Sequence, residues 1–522
     1  MARRSLVAGL ATPLAALVLA APAGADPTAA GTVAALVHHP VATKIEAAQQ
    51  KFDEGLTLLY AFNREEAARR FQAAAAADPH LAMAWWGVAM AAGPNINFPM
   101  SAERVKTAHD ALAKAKALES EAAPEEKRLI DAVALRYPAT YASEEASRPG
   151  YVAYRDAMAT VHADYPADND AAVLYVESVF DTGDIDWNAG KPTPDAALVA
   201  GILEGVLKRE PGHVGANHFY VHACDFIGVA ERALPSARRL SALPAETAAS
   251  HLVHMSGHIY LDLGMFEDLE RDNRTAVDDD RAFALSSGAA DPWNLDYFGH
   301  NLDFYLGGAT MLGDRPNIDR ALDIARTGQG RGSYGLALAR RRDWDGVLAW
   351  PQAPSAPLWQ RLIATYARGL ASSERGDAAQ ARAAEAALEA GRATPGFTGG
   401  VATNLADLLG ARLAHAAGDD DDALTRLRRV QAAVQPLPPE VFAPWYFPVG
   451  EWIGSILLAR GDAAGAEAAY RADLQRTPNN ARALYGLMQS LSRQQRTAEA
   501  RPLAAQIAAN WRGTYEDLRP SF

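Results

Sequence analysis

The chain holds thirteen histidines among 522 residues, and six of them, His213, His218, His222, His251, His254 and His258, fall within positions 213–258. An even spread would put about one there. His218, His222 and Asp225 are spaced i, i+4, i+7, and His251, His254 and His258 are spaced i, i+3, i+7. On a helix each trio shares one face. Imidazole is a ligand for zinc, copper, iron or nickel, and nearby carboxylates bind the metal too or orient the rings. The spacing therefore predicts a divalent transition-metal site (zinc, copper, iron or manganese). Two plainer readings compete with it. The histidines are ordinary packed or solvated residues, or they form a pH-sensitive patch, because clustered imidazoles repel once protonated.

The elements that must carry these residues are helices. From Val41 onward apolar residues recur at helical spacing, and no period-2 run is long enough for a sheet. The helices also repeat. Gly55, Leu58, Ala67, Phe71, Ala74 and Pro79 stand at the spacings of a tetratricopeptide repeat. Gly454, Leu457, Ala466, Tyr470 and Pro478 stand at the same offsets, and Gly257, Tyr260, Gly264, Phe266 and Ala276 fit as well. In such a repeat small residues let two helices approach, an aromatic fills the gap, and Pro ends the second helix. The expected fold is all-α, a tetratricopeptide-repeat-like superhelix of about eleven antiparallel helix pairs. They run over 44–79, 80–119, 124–164, 169–211, 213–245, 249–284, 295–330, 354–393, 398–434, 440–478 and 480–511. The Pro/Trp-rich stretch 344–357 reads as a connector between an array over 26–343, which carries the histidines, and one over 358–522.

The repeat register assigns faces. Val253, Gly257 and Tyr260 form the stripe that packs on the second helix of their pair, and Val221 and Cys224 take that place in the preceding pair. Both histidine trios then lie on the inner, concave wall built by successive first helices. His300 and Asp303 reach the same wall from the next pair, and Glu177 and Asp181 from the previous one. The expected metal ligands are His218, His222, His251, His254, His258, His300 and Asp303. Asp225 and Glu177 are the candidate catalytic acids or bases.

Asn217-His218-Phe219-Tyr220-Val221-His222-Ala223 and His251-Leu252-Val253-His254-Met255-Ser256-Gly257-His258-Ile259-Tyr260 resemble the NHYYIHA and HLVHMPSHIY signatures of a group of bacterial tetratricopeptide-repeat proteins. Ala84-Trp85-Trp86-Gly87 with Gly93-Pro94-Asn95-Ile96-Asn97, Pro444 to Pro448, and Leu484 to Leu487 look like the same family. The resemblance covers nearly all of the chain after the leader and implies the repeat fold. The family's HNIHF stands here as His300-Asn301-Leu302-Asp303-Phe304, so an imidazole is replaced by a carboxylate. The family's HAVE stands as His222-Ala223-Cys224-Asp225, which keeps an acid.

The net charge of −13 argues against a nucleic-acid partner, which needs clustered Lys and Arg. One cysteine, Cys224, excludes a disulfide framework and a Cys-based zinc or iron–sulfur site. Its register makes it a buried small hydrophobe. Residues 1–25 read as a secretory signal: Arg3 and Arg4, an apolar run over 6–20, and Ala23-Gly24-Ala25 before Asp26. The expected location is periplasmic or secreted, with no membrane span in the mature chain. Asp419 to Asp422 sit where a helix starts and read as caps. Gly330 to Gly335 match a dinucleotide fingerprint, but no strand precedes them. Three functions fit. The first is a metalloprotein, a metal-dependent hydrolase or oxidoreductase acting on a small molecule or peptide in the concave groove. The second is a scaffold binding a partner peptide there, and the third is a metal carrier or store.

Overall fold

A computed structural model describes residues 33–183, 194–244, 248–287, 291–328, 334–352, 354–434 and 449–518. The leader, Trp445-Tyr446 and most of the Gly330–Gly335 motif lie outside them.

The described residues form 24 α-helices, and they contain no strand. In chain order they are α1 (Glu46–Tyr60), α2 (Arg64–Ala77), α3 (Ala82–Ala91), α4 (Ala102–Ala117), α5 (Pro124–Ala134), α6 (Glu144–Asp164), α7 (Asn169–Thr182), α8 (Pro194–Arg209), α9 (Val214–Phe226), α10 (Ala230–Ser241), α11 (Ser250–Asp262) and α12 (Phe266–Ser286). There follow α13 (Phe298–Leu312), α14 (Arg315–Thr327), α15 (Gly335–Arg340), α16 (Trp344–Ala349), α17 (Leu358–Glu374), α18 (Ala378–Gly391), α19 (Phe397–Ala416), α20 (Asp420–Val434), α21 (Val449–Ala459), α22 (Ala463–Arg476), α23 (Ala481–Arg493) and α24 (Thr497–Asn510). They fall into the eleven expected pairs plus a short one, α15 and α16. Six-residue helices complete too few turns to show a period, which is why this pair is not legible in the sequence. Polar caps set the starts: Ser101, Ser143, Asp168, Asp377 and Asp462 each accept a backbone N–H of the first turn. Asp419 accepts the N–H of Asp422 at 3.0 Å, so the acidic run does cap α20. No helix among the described residues is long and apolar enough to cross a membrane.

The chain forms two compact units. One comprises 33–259 with 275–298, the other 260–274 with 299–518. In the first, the fully buried Phe71 of α2 fills the space between two glycines. A Cβ at Gly55 of α1 would lie 2.8 Å from its ring, and one at Gly87 of α3 only 2.3 Å. In the second unit Tyr470 of α22 does the same between Gly454 of α21 and Gly486 of α23, at 2.5 and 2.1 Å. This glycine–aromatic–glycine sandwich is the packing the repeat spacing predicts. Also in the second unit, Gly264 adopts φ +65°, and a Cβ there would fall 1.9 Å from the Pro478 carbonyl oxygen. Only glycine serves both needs.

An extended segment before α1 straps the first unit together. His38 Nδ1 meets Asp53 Oδ2 at 2.7 Å, the Ala42 N–H donates to Glu126 Oε1 at 2.7 Å, and His39 Nδ1 donates to Asp170 Oδ2 at 3.0 Å. Burial pulls the His39 imidazole down, but the hydrogen bond and charge of Asp170, with Asp168 and Glu125, outweigh it and raise the pKa to about 9. Asp170 is held low in spite of burial by His213 and His39. A folded pKa raised above the unfolded value contributes stability that is complete below about 6.5 and lost as pH rises through about 9. The Asp170 contribution runs the other way, present above its ordinary pKa near 4 and lost on acidification. The unfolding free energy of wild type should therefore exceed that of His39→Gln by on the order of 3 kcal/mol at pH 6, and the gap should shrink by pH 10. A gap that stays constant from pH 6 to 10 would show that His39 carries no buried charge.

Candidate metal centre

The centre is built on α9 and α11, with the end of α1 against them. Gly215 of α9 lets Tyr60 of α1 lie on its backbone, since a Cβ there would stand 2.8 Å from the Tyr60 ring. This approach brings the Tyr60 carbonyl within 2.6 Å of His218 Nδ1. A carbonyl oxygen only accepts, so Nδ1 carries the proton. Burial drives the His218 pKa down to about 3, against the pull of the Tyr60 carbonyl. The ring is neutral, and its Nε2 presents a lone pair. That atom lies 3.0 Å from His222 Nε2, one turn along the helix.

A second pair repeats the arrangement on α11. His254 Nε2 lies 3.2 Å from His258 Nε2. His258 Nδ1 donates to Asp225 Oδ2 of α9 at 3.1 Å, and burial lowers the His258 pKa to about 4. Asp225 thus orients a neutral imidazole from behind and adds to the basicity of its Nε2. Tetrahedral zinc with nitrogen at about 2.0–2.1 Å places neighbouring ligand atoms roughly 3.3 Å apart. Both Nε2 pairs have nearly that spacing.

His251 joins the two pairs. Its ring lies 5.1 Å from His218 and 5.4 Å from His254, and His222 stands 6.1 Å from His258. His218, His222 and His251 each offer one ligand atom, and these atoms all lie within 4.8 Å of one another. They can hold a metal ion. His300 and Asp303 belong to the second compact unit.

The sequence register groups the five imidazoles correctly, but it places them on a groove wall. Instead they are buried, with His218 and His254 at 0% exposure and His258 at 8%. Two aromatics cover them. Phe62, in the turn between α1 and α2, lies 4.5 Å from the His218 ring and 5.5 Å from His251. Tyr297 lies 3.8 Å from His251. Phe62 holds φ +57°, a left-handed conformation that costs a bulky residue about 1–3 kcal/mol. Its aromatic packing against three imidazoles holds it there. Neither residue was found from sequence. The one signal was a bulky Phe at a turn position where glycine is usual.

The other carboxylates have definite partners. Glu177 accepts from Arg136 Nη2 at 2.8 Å and from the Tyr154 hydroxyl at 3.3 Å, and Arg136 also bonds Asp181. This is a buried ion-pair network. His39, Asp168 and Asp170 also bring three ligand-type atoms together. There the imidazole is a proton donor with a raised pKa, and Asp168 caps α7, so the set is an ion pair. Cys224 is fully buried, and burial raises its thiol pKa to about 11, which fits packing and not nucleophilic attack.

Fold and site together define an all-α, tetratricopeptide-like helix-pair protein with a buried imidazole cluster. No protein-family model matches the chain, and no curated protein does. Among solved structures, it is similar to a human IFIT1 dimer with m7Gppp-AAAA, at 11% identity over 90% of each chain and a TM-score of 0.32. It is also similar to the TPR domain of P58(IPK), at 12% identity over 86% of this chain and 99% of that one, TM-score 0.24. A third is Naa15/Naa10 bound to HypK-THB, at 12% identity over 89% and 70%, TM-score 0.21. With TM-scores this low, the repeat assignment rests on the glycine–aromatic packing within each unit.

Proposed function

We propose that this protein is a metalloprotein that holds a divalent transition-metal ion at His218, His222 and His251, with His254, His258 and Asp225 beside it. The observation that carries the reading is three buried imidazoles from two helices with converging ligand atoms, one of them fixed in its ligating tautomer by the Tyr60 carbonyl. Three protein ligands leave a coordination position open, where a bound metal supplies Lewis acidity or a water of lowered pKa. Asp225 and His258 form a carboxylate–imidazole pair suited to moving a proton at that position. The test is elemental analysis of the full-length protein after growth with ample zinc, copper, iron and manganese. Near-stoichiometric metal supports the reading. Protein that carries none and binds none when it is added sinks it. Asp225→Asn is expected to keep the metal and the melting temperature while removing turnover of a small molecule, screened as product formation from a metabolite pool.

Export belongs to the same reading. The Arg3-Arg4 start, the apolar run and Ala23-Gly24-Ala25 support a leader cleaved before Asp26. N-terminal sequencing of natively expressed protein should begin at Asp26, and a soluble cytoplasmic chain that retains Met1 or Ala2 would end the idea.

A further inference from the structure

One residue of α1 meets α9 at three points. The Tyr60 ring lies on Gly215, its carbonyl accepts from His218 Nδ1, and its hydroxyl donates to Asp170 Oδ1 at 2.7 Å. The same Asp170 oxygen lies 3.2 Å from His213 Nε2, at the start of α9. His213 Nδ1 accepts the Ala216 N–H at 3.2 Å and so caps the helix, which leaves the proton on Nε2 for Asp170 to accept. Asp170 thus ties the Tyr60 hydroxyl to the first turn of α9, while the Tyr60 carbonyl meets the helix at His218. Between His213 and His218 the helix rises about 7.5 Å, so Tyr60 lies lengthwise along it.

The way α1 ends leaves that carbonyl for His218. The last carbonyls of a helix have no N–H partner within it. Here the Ala61 N–H donates to the Thr57 carbonyl at 3.0 Å, the Phe62 N–H to Leu59 at 3.1 Å and the Asn63 N–H to Leu58 at 3.0 Å. The last two bonds, with Phe62 in its left-handed conformation, make a Schellman closure. Among the described residues no backbone N–H reaches the Tyr60 carbonyl. A buried carbonyl without a donor is costly, so its bond to His218 Nδ1 at 2.6 Å serves both groups. A neutral imidazole carries its proton on either nitrogen, and only the nitrogen without it binds a metal.

We propose that Tyr60 is the positioning residue of the metal centre: Asp170 holds its hydroxyl, that hold keeps its carbonyl on His218 Nδ1, and His218 Nε2 is thereby reserved for the ion. The consequence for metal rests on the reading above, but the positioning is measured without metal. Full-length protein labelled with ¹⁵N-histidine and stripped with chelator is compared by NMR as wild type, Tyr60→Phe and His39→Gln, the His218 signals being those lost in His218→Gln. Wild type should hold His218 as the Nδ1–H tautomer alone, and Tyr60→Phe should show a mixture. Zinc affinity, by competition with a chelator, should fall about tenfold or more in Tyr60→Phe. His39→Gln removes another partner of Asp170 but leaves the Tyr60 hydroxyl bond, so it should lose stability and keep the tautomer and the zinc affinity of wild type. Equal losses of zinc affinity in Tyr60→Phe and His39→Gln would trace the effect to weakened folding and overturn the proposal. An Nε2–H tautomer at His218 in wild type overturns it, whether or not Tyr60→Phe folds, and so does a Tyr60→Phe protein with wild-type tautomer or wild-type zinc affinity. If wild type binds no zinc, the metal reading fails, and the tautomer comparison still decides the role of Tyr60.

Discussion

Replacing His218 and His222 together by alanine is expected to reduce bound metal to background, while His162→Ala, outside the cluster, leaves it unchanged. The two rings supply two of the three converging ligand atoms, and their Nε2 atoms lie 3.0 Å apart. Losing a group that merely orients a ligand costs about 10–100-fold in affinity, and losing two ligands costs more. Chelator provides a second readout. A ligand at about 100 times its dissociation constant stabilises the native state by about 2.7 kcal/mol. Stripping the metal should therefore lower the melting temperature of wild type and leave that of the double variant where it was. If chelator moves neither protein and added zinc moves neither, the imidazoles are a packed cluster without a ligand.

Phe71→Ala is expected to cost roughly 3–5 kcal/mol of stability in the first unit, the range for emptying a fully buried aromatic site. The Phe71 ring touches both neighbouring first helices, where Gly55 and Gly87 leave no side chain that could collapse into the vacated space. It also packs on Phe52, with ring centroids 5.3 Å apart. Leu285→Ala in the same unit removes a comparable apolar group that is 85% exposed, and it should stay within about 0.5 kcal/mol of wild type. Urea unfolding of the three proteins makes the comparison. Equal losses for the two variants would mean that Phe71 is not the element that locks successive helices together.

Helices and their pairing were legible in the chain because one-dimensional signals carry them. Apolar residues at helical spacing mark each helix, and Gly55, Phe71 and Gly87 recur as Gly454, Tyr470 and Gly486 because each sandwich needs the same volumes. The imidazole grouping was legible for a similar reason, since i, i+4, i+7 spacing on α9 and i, i+3, i+7 on α11 places each trio on one face whatever lies opposite. Only the tertiary structure decided what does lie opposite. The Tyr60 carbonyl that sets the His218 tautomer is 158 positions away along the chain, and Tyr297, which covers His251, has no periodic relation to it. Burial of the cluster, and with it the pKa values near 3 and 4, follows from those long-range contacts. The same holds for Glu177, which register alone aims at the imidazoles and which Arg136 claims in the folded unit. Periodicity reports which side of a helix is apolar or polar, but the partner of a buried charge is chosen by packing between segments whose separation no local pattern encodes.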